Sequence, residues 1–275
     1  MSPVTAFAII AVLVLAAVAA LLLVRRFAPR GGFFSDSDRA AGVFGVVGTG
    51  FAVLLAFVIF IAFESYNNAK DGATREAIAA RQLFRTAMLF SPGDRDELHA
   101  ELICYGRAVA FDEWRTMRAG RESALVQGWL ERLDRSTERV DVRGVKQGVA
   151  YGHWFDRAAA RQEGRRGRLA EASPFVPPVM WLVLILAGGL VITFVCFFAD
   201  RAERPAIQAL SMTAVATMVV SGLLLVRFLD RPYEDSSGSV KPTATVDAVT
   251  SIERQRDRLA PGRALPCEAR GTPRA

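Results

Sequence analysis

A few side chains in the polar middle of the chain are of types that could do chemistry. His99, Glu101 and Cys104 fall within six positions, but a spacing of i, i+2 and i+5 does not place three side chains on one helix face. No second His or Cys motif lies nearby to complete the ligand shell of a metal ion. We therefore interpret these residues as part of a solvated helix face and expect no metal site.

The other histidine, His153, lies beside Trp154 and three residues before Asp156. No nucleophile is identifiable that such a histidine would activate, so a partly buried structural histidine is the better interpretation. The sequence contains no GxSxG motif, no GxxxxGK(S/T) phosphate loop and no GxGxxG after a strand, which are common signatures of hydrolases and nucleotide-binding proteins. The sequence therefore predicts neither an enzyme nor a bound cofactor.

The basic side chains are nearly all arginine, and the net charge is +6. Arg165, Arg166 and Arg168 end a run, RAAARQEGRRGR, that comes shortly before an apolar segment, where lipid head groups would lie. A solvated helix face, nonspecific lipid contact and specific binding of an anionic lipid all fit this pattern. Nucleic acid is not expected as a partner, because membrane topology already explains the excess of arginine.

Four apolar segments organise the rest of the chain: residues 4–24, 43–63, 179–198 and 206–229. Each has about 20 residues, enough to cross a hydrocarbon core of roughly 30 Å. The first segment lacks a basic n-region and is longer than the apolar core of a signal peptide, which favours a membrane span. The sequence thus predicts an all-α protein of the lipid bilayer, with four transmembrane helices in two hairpins, residues 1–63 and 178–229.

Residues 64–177, between the hairpins, are polar and show helical rather than alternating periodicity, which predicts a central helical soluble domain. Residues 230–275 form a tail with a short helix near 244–259, and its Pro-, Gly- and Arg-rich end is expected to be disordered. The three cysteines, Cys104, Cys196 and Cys267, lie far apart and show none of the spacing typical of a disulfide framework or a zinc knuckle. They therefore do not fix the cellular compartment.

The second apolar segment begins with a face of small residues. Gly42, Gly45 and Gly48 recur every three residues, which leaves one side of the helix nearly free of side chains. Another helix backbone could approach closely there, so we expect these glycines to pack against protein.

Leu55, Ile59 and Phe63 follow at i, i+4 and i+8 and form an apolar stripe on one side of the same helix. In a membrane bundle such a stripe usually packs against a neighbouring helix or against lipid. A pore with a hydrophobic constriction would also need successive apolar rings one turn apart. The residues alone are compatible with both interpretations.

Four spans place both termini and the central domain on one side of the membrane and the two short loops on the other. The basic residues of those loops are Arg25, Arg26, Arg30, Arg39, Arg201 and Arg204. Short loops rich in Arg stay in the cytoplasm. The charge distribution therefore favours an extracytoplasmic central domain.

Four stretches of the chain carry a resemblance to a known family. They are GVFGVVGTGFAVLLAFVIFIAFESYNNA at 42–69, TREAIAARQLFR at 74–85, the PxxW of 178–181 and FLDRPY at 228–233. Together they resemble the bacterial membrane proteins called DUF4239, or bestrophin-like, over about residues 1–250. The resemblance implies a multi-pass protein of the bacterial plasma membrane that forms a homo-oligomer.

Bestrophins are pentameric ion channels with a helical cytoplasmic domain between the second and third of four spans, and their second span lines a hydrophobic neck. By this likeness the pore neck would be formed by Leu55, Ile59 and Phe63. The residues implied at the pore exit are Glu64, Asn67 and Asn68.

The chain departs from the bestrophin pattern in two ways. Glu64 stands where bacterial bestrophins have an arginine, so a pore here would favour cations over anions. The charge of the short loops also places the central domain outside the cytoplasm. An ion channel is the leading hypothesis, and the alternative is a membrane-anchored interaction or sensor protein without a pore that acts through its soluble domain.

Overall fold

The chain is almost entirely helical. The computed structural model describes residues 2–274, and within that range it holds nine α-helices, one π-helical turn and no strand beyond an isolated bridge. The helices are α1 (Pro3–Phe27), α2 (Ser37–Ala87), α3 (Pro92–Ala108), α4 (Trp114–Met117), α5 (Ala124–Glu138), α6 (Gly144–Ala170), α7 (Pro178–Phe197), α8 (Pro205–Leu229) and α9 (Thr243–Leu259). The predicted all-α class is confirmed.

Four helices, α1, α2, α7 and α8, are long and apolar enough to cross a membrane. Three of them, α1, α7 and α8, begin with a proline in the first turn, where the missing amide proton costs no helical hydrogen bond. The fourth, α2, runs for 51 residues. Its polar continuation is therefore the first helix of the soluble domain.

The chain divides into two compact units, each with its own buried apolar clusters. The membrane unit holds the residues up to Ser65, with Pro174–Arg231 and Asp235–Gly238. The soluble unit holds Tyr66–Ser173, Pro232–Glu234 and the residues from Ser239 on.

The two short loops of the membrane unit are joined by hydrogen bonds. The guanidinium of Arg25, at the end of α1, donates to the main-chain oxygens of Asp200 at 3.2 Å and Glu203 at 2.7 Å. The Gly31 amide donates to the Asp200 carboxylate at 3.1 Å. Both loops therefore lie at the same end of the unit, as a pair of transmembrane hairpins requires.

The soluble unit is built around α3, in which every residue from Leu98 to Gly106 is buried. Helices α5 and α9 pack along it, and Phe84 of α2 stacks on His99 with ring centroids 3.6 Å apart. The prediction that His99, Glu101 and Cys104 lie on a solvated face is therefore wrong. A central helix has partners on several sides, so even side chains that do not share a face are covered.

The end of the chain packs against the soluble unit, which corrects the expectation of a disordered tail. Cys267 is bonded to Cys104 of α3 and is fully buried. The indole of Trp129 donates a hydrogen bond to the carbonyl of Gly271 at 2.6 Å. The disulfide joins cysteines 163 residues apart, so no local spacing in the sequence could indicate it.

Removal of this disulfide should destabilise the soluble unit. The double substitution Cys104→Ser and Cys267→Ser frees the tail from α3, and we expect a loss of about 2 to 5 kcal/mol of unfolding free energy. Denaturant unfolding followed by tryptophan fluorescence measures this loss. Cys196→Ala removes the unpaired thiol and serves as the control that should keep the wild-type midpoint, whereas equal midpoints for all three proteins would contradict the prediction.

Candidate functional site

The inner face of α2 packs within the membrane unit. Phe51 and Leu55 are only 8% and 6% exposed and belong to one apolar cluster with residues of α7 and α8. A β-carbon at Gly188 of α7 would lie 3.6 Å from the Phe51 ring, and one at Gly222 of α8 would lie 2.6 Å from Leu55 Cδ2. The glycines that admit a neighbouring helix are thus on α7 and α8.

Gly42, Gly45 and Gly48 do not pack against other helices of the same chain. A β-carbon at any of the three would meet no atom within 4 Å. Within one chain the prediction of a packed glycine face is wrong, because α7 and α8 meet the large side chains of α2 instead. The glycine face is left open to lipid or to another copy of the chain.

The predicted neck residues differ in exposure. Leu55 lies in the core of its own subunit and cannot line a pore between subunits, so this part of the prediction is corrected. Ile59 is partly buried against the same cluster. Phe63 is 50% exposed and stays a candidate.

The outer face of α2 carries exposed apolar side chains that lead to an acid. Val46, Val53, Phe57 and Phe60 are 75%, 64%, 60% and 66% exposed, and Glu64 is exposed as well. Positions 53, 57, 60 and 64 are i, i+4, i+7 and i+11, so they share one helix face. We call these five residues the outer row. Spacing alone does not single it out, because the stripe of Leu55, Ile59 and Phe63 is equally regular.

The remaining predicted exit residues lie on α2 within the soluble unit. Asn67 is partly buried and Asn68 is exposed. Asn68 lines an open groove of about 440 Å³ between α2 and α6, together with Asp71 and Arg166. Charged side chains of both helices line this groove together with glycines.

Arg168 of α6 is fully buried in a network of ion pairs. Its guanidinium donates to the carboxylates of Glu76 on α2 and of Glu113 in the π turn Val109–Glu113, each at 2.6 Å. Arg165 donates to Glu113 at 2.6 Å. Neither a solvated face nor contact with anionic lipid therefore describes Arg165 and Arg168, since their partners are acids of other elements. Only Arg166 of the three is exposed.

Burial and ion pairing have opposite effects on the pKa values of Glu113 and Arg168. Burial by itself raises the pKa of the Glu113 carboxyl, but the guanidinium groups of Arg168 and Arg165 outweigh burial and hold that pKa below its usual value. Burial lowers the pKa of Arg168, and the carboxylates of Glu76 and Glu113 more than reverse that effect. Glu113, Arg165 and Arg168 therefore stay ionised at neutral pH, and their network is a structural element.

Two glycines let α2 and α6 approach closely enough for the network to form. A β-carbon at Gly72 would lie 2.6 Å from the amide nitrogen of Arg168, and one at Gly164 would lie 2.5 Å from that of Glu76. Main-chain atoms cannot yield to such a contact without moving a helix. Glycine at these two positions therefore positions the ion pairs.

The two histidines lie apart from this network. His99 Nε2 is hydrogen-bonded to the Phe84 carbonyl oxygen at 2.8 Å, and burial lowers its pKa to about 4, so the ring is neutral. His153 is exposed, with Nδ1 3.6 Å from the Asp156 carboxylate. The expectation of a partly buried His153 is wrong, because this turn of α6 faces solvent.

Gly164→Val should disrupt the crossing of α2 and α6. The added side chain forces the helices apart and leaves buried charges without partners, at a cost of roughly 3 to 5 kcal/mol in unfolding free energy. Denaturant unfolding measures this cost. Gly167→Ala is the matched control on the same helix, since its β-carbon would make an ordinary contact at 3.8 Å, and equal destabilisation by both variants would contradict the assigned role of Gly164.

Comparisons with known proteins agree with this architecture. The sequence profile of the Bestrophin-like domain family matches residues 11–245, and the curated proteins include no match. A leucine-to-threonine variant of a bacterial bestrophin homologue from Klebsiella pneumoniae is 14% identical with a TM-score of 0.68, over 92% of this chain and 99% of that chain. A tryptophan-to-alanine variant is also 14% identical, with a TM-score of 0.65, over 92% of this chain and 97% of that one.

Proposed function

Since the chain belongs to the bestrophin-like family, we propose that it assembles as a homo-oligomer and conducts ions through a pore lined by α2. The number of subunits is five if the assembly follows that of the bestrophins. The observation that carries this proposal is the outer row of α2. One face of the helix is buried in the core of its own subunit. The opposite face carries a row of exposed apolar side chains, and the carboxylate of Glu64 follows the last of them.

The outer row has the order of groups that a gated ion path needs. Val53, Phe57 and Phe60 would form successive apolar rings around an axis, and such constrictions gate by dewetting. Phe63, half exposed, would complete the narrow part in place of Leu55. A ring of Glu64 carboxylates directly after it would attract cations and repel anions.

Glu64 comes directly after the apolar span 43–63, where α2 reaches the edge of the hydrocarbon core. Glu64 follows Phe60 by one turn on the face that its own chain leaves open. A pore axis on that side would give the carboxylate water and keep the row away from lipid.

Shortening the outer row should increase ion flux. We expect Phe57→Ala and Phe60→Ala, made together, to raise cation flux severalfold in proteoliposomes, because a wider apolar ring is easier to wet. Leu55→Ala is the control, since that side chain lies in the subunit core and its loss should reduce stability with little effect on flux. Absence of flux from both the wild-type protein and the double variant would overturn the channel proposal.

Charge at position 64 should set the ion preference. Glu64→Gln removes the negative ring and should weaken the preference for cations, and Glu64→Arg should reverse it. Reversal potentials under a salt gradient in planar bilayers measure both changes. Unchanged selectivity in both variants would place Glu64 away from the ion path.

We further propose that the soluble unit lies outside the cytoplasm of a bacterium whose inner membrane holds the protein. Two independent features support this side. The short loops carry the arginines, and disulfides such as Cys104–Cys267 persist in oxidising compartments like the periplasm but rarely in the cytoplasm. Alkaline phosphatase fused after Arg274 should be active, and a fluorescent green fluorescent protein fusion at that site without phosphatase activity would reverse the assignment.

The alternative function is that of a membrane-anchored sensor without a pore. An open cleft of about 460 Å³ beside the buried Glu101 of the soluble unit supports a ligand-binding role. The native mass in a membrane mimetic separates the two functions. A monomer or dimer has no central pore and would favour the sensor, whereas a higher closed ring favours the channel.

A further inference from the structure

The cleft beside Glu101 lies on the soluble unit between α3 and α5. Its volume is about 460 Å³. It is lined by Glu101, Arg132, Arg135, Ser136, Glu138 and Arg139. Arg132 and Arg135 of α5, together with Arg139 directly after it, thus line the same open cleft as a buried carboxyl group.

Two of the three guanidinium groups have hydrogen-bond donors to spare. Arg132 lies over the ring of Trp129, 4.8 Å from its centroid. Arg135 donates through Nε to the main-chain oxygen of Glu131 at 3.1 Å. Neither is ion-paired with a carboxylate in the described part of the chain, and a guanidinium with free donors is well suited to an oxyanion.

The third guanidinium belongs to a small hydrogen-bond network around Ser136. Arg139 pairs with Glu97 at 2.8 Å and donates to Ser136 Oγ at 3.1 Å. The same Oγ lies 3.1 Å from Glu97 Oε1 and 3.0 Å from Glu101 Oε1. A serine hydroxyl has one proton, so it can donate to only one of these two carboxyl groups.

Both contacts of Ser136 can be hydrogen bonds when Glu101 carries a proton. Ser136 then donates to the charged Glu97 and accepts from the Glu101 carboxyl, so both short contacts become hydrogen bonds. Glu101 is only 8% exposed, and its Oε2 has no hydrogen-bond partner, which is a costly situation for an ionised carboxylate.

The electrostatics agree with this geometry. Burial raises the pKa of Glu101 to about 7, and the nearby Glu97 of the same helix adds to the rise. The hydrogen bond from Ser136 and the positive charges of Arg139 and Arg132 lower that pKa and oppose the rise. With Glu101 neutral, three arginines face Glu97 and Glu138, and the cleft is net positive. With Glu101 ionised, the charges of the cleft cancel.

We propose that this cleft is a binding site for a small oxyanion, of the phosphate or carboxylate class, and that the site is competent when Glu101 is protonated. The anion accepts hydrogen bonds from Arg132 and Arg135, and the neutral carboxyl group of Glu101 does not repel it. The site belongs to the soluble unit and does not depend on whether the protein conducts ions.

Sulfate is the probe that tests the site, because its charge is fixed between pH 6 and pH 8. We expect sulfate to bind the detergent-solubilised full chain about tenfold more weakly at pH 8 than at pH 6, because the neutral fraction of Glu101 falls from about 0.9 to about 0.1. Isothermal titration calorimetry at constant ionic strength measures the affinities. A parallel titration with acetate distinguishes the two ligand classes, and the absence of binding by both anions would overturn the proposal.

Variants separate the proton from the positive charge. Glu101→Gln fixes the neutral state and should bind equally at both pH values, with the affinity of the wild-type protein at pH 6. Arg132→Ala and Arg135→Ala, both at exposed positions, should each weaken binding at both pH values. Arg157→Ala removes an exposed arginine of α6 outside the cleft and should match the wild-type protein.

Two results would overturn the proposal. One is a Glu101→Gln variant that keeps the tenfold pH dependence, which would assign the dependence to another group. The other is wild-type affinity in both Arg132→Ala and Arg135→Ala, which would place the anion elsewhere. Circular dichroism of each variant, with unchanged helix content, shows that the comparison is between folded proteins.

Discussion

The soluble unit depends on the burial of charge where α2 crosses α6. Arg168 has no contact with water, and removing an ion from water costs several kcal/mol even after relaxation. Glu76 and Glu113 offset this cost only at hydrogen-bonding distance, 2.6 Å for each. Gly72 and Gly164 set that distance, since any side chain there would hold the helices apart. The ion pairs therefore depend on the glycines, and substitution of a single charged residue or glycine disrupts the crossing of the two helices.

The long elements of the fold could be predicted from the sequence. A segment of some twenty consecutive apolar residues crosses a bilayer as a helix, because a helix pairs its own backbone hydrogen-bonding groups. The helices of the soluble unit likewise follow from periodicity. The C-terminal segment was expected to be disordered because its composition is polar, and composition carries no information about Cys104, its partner 163 residues away.

The direction of side chains was harder to predict than the helices that carry them. The spacing of Leu55, Ile59 and Phe63 defines a helix face but does not say what covers it, and Val53, Phe57 and Phe60 define another face equally well. Which face is covered depends on Gly188 and Gly222, far along the chain. Arg165 and Arg168 resembled surface residues for the same reason, because the acids that pair with them belong to other elements.

Two membrane-spanning helices, α7 and α8, lie between Cys104 and Cys267 in the chain. The two sulfur atoms lie on the same side of the membrane when both helices cross the bilayer and return the chain to the side that it left. A molecule whose second hairpin inserted only one helix would keep these thiols on opposite sides of the membrane. The disulfide therefore distinguishes these molecules from those in which only one helix of the second hairpin has inserted, and the absence of two free thiols reports it in each molecule.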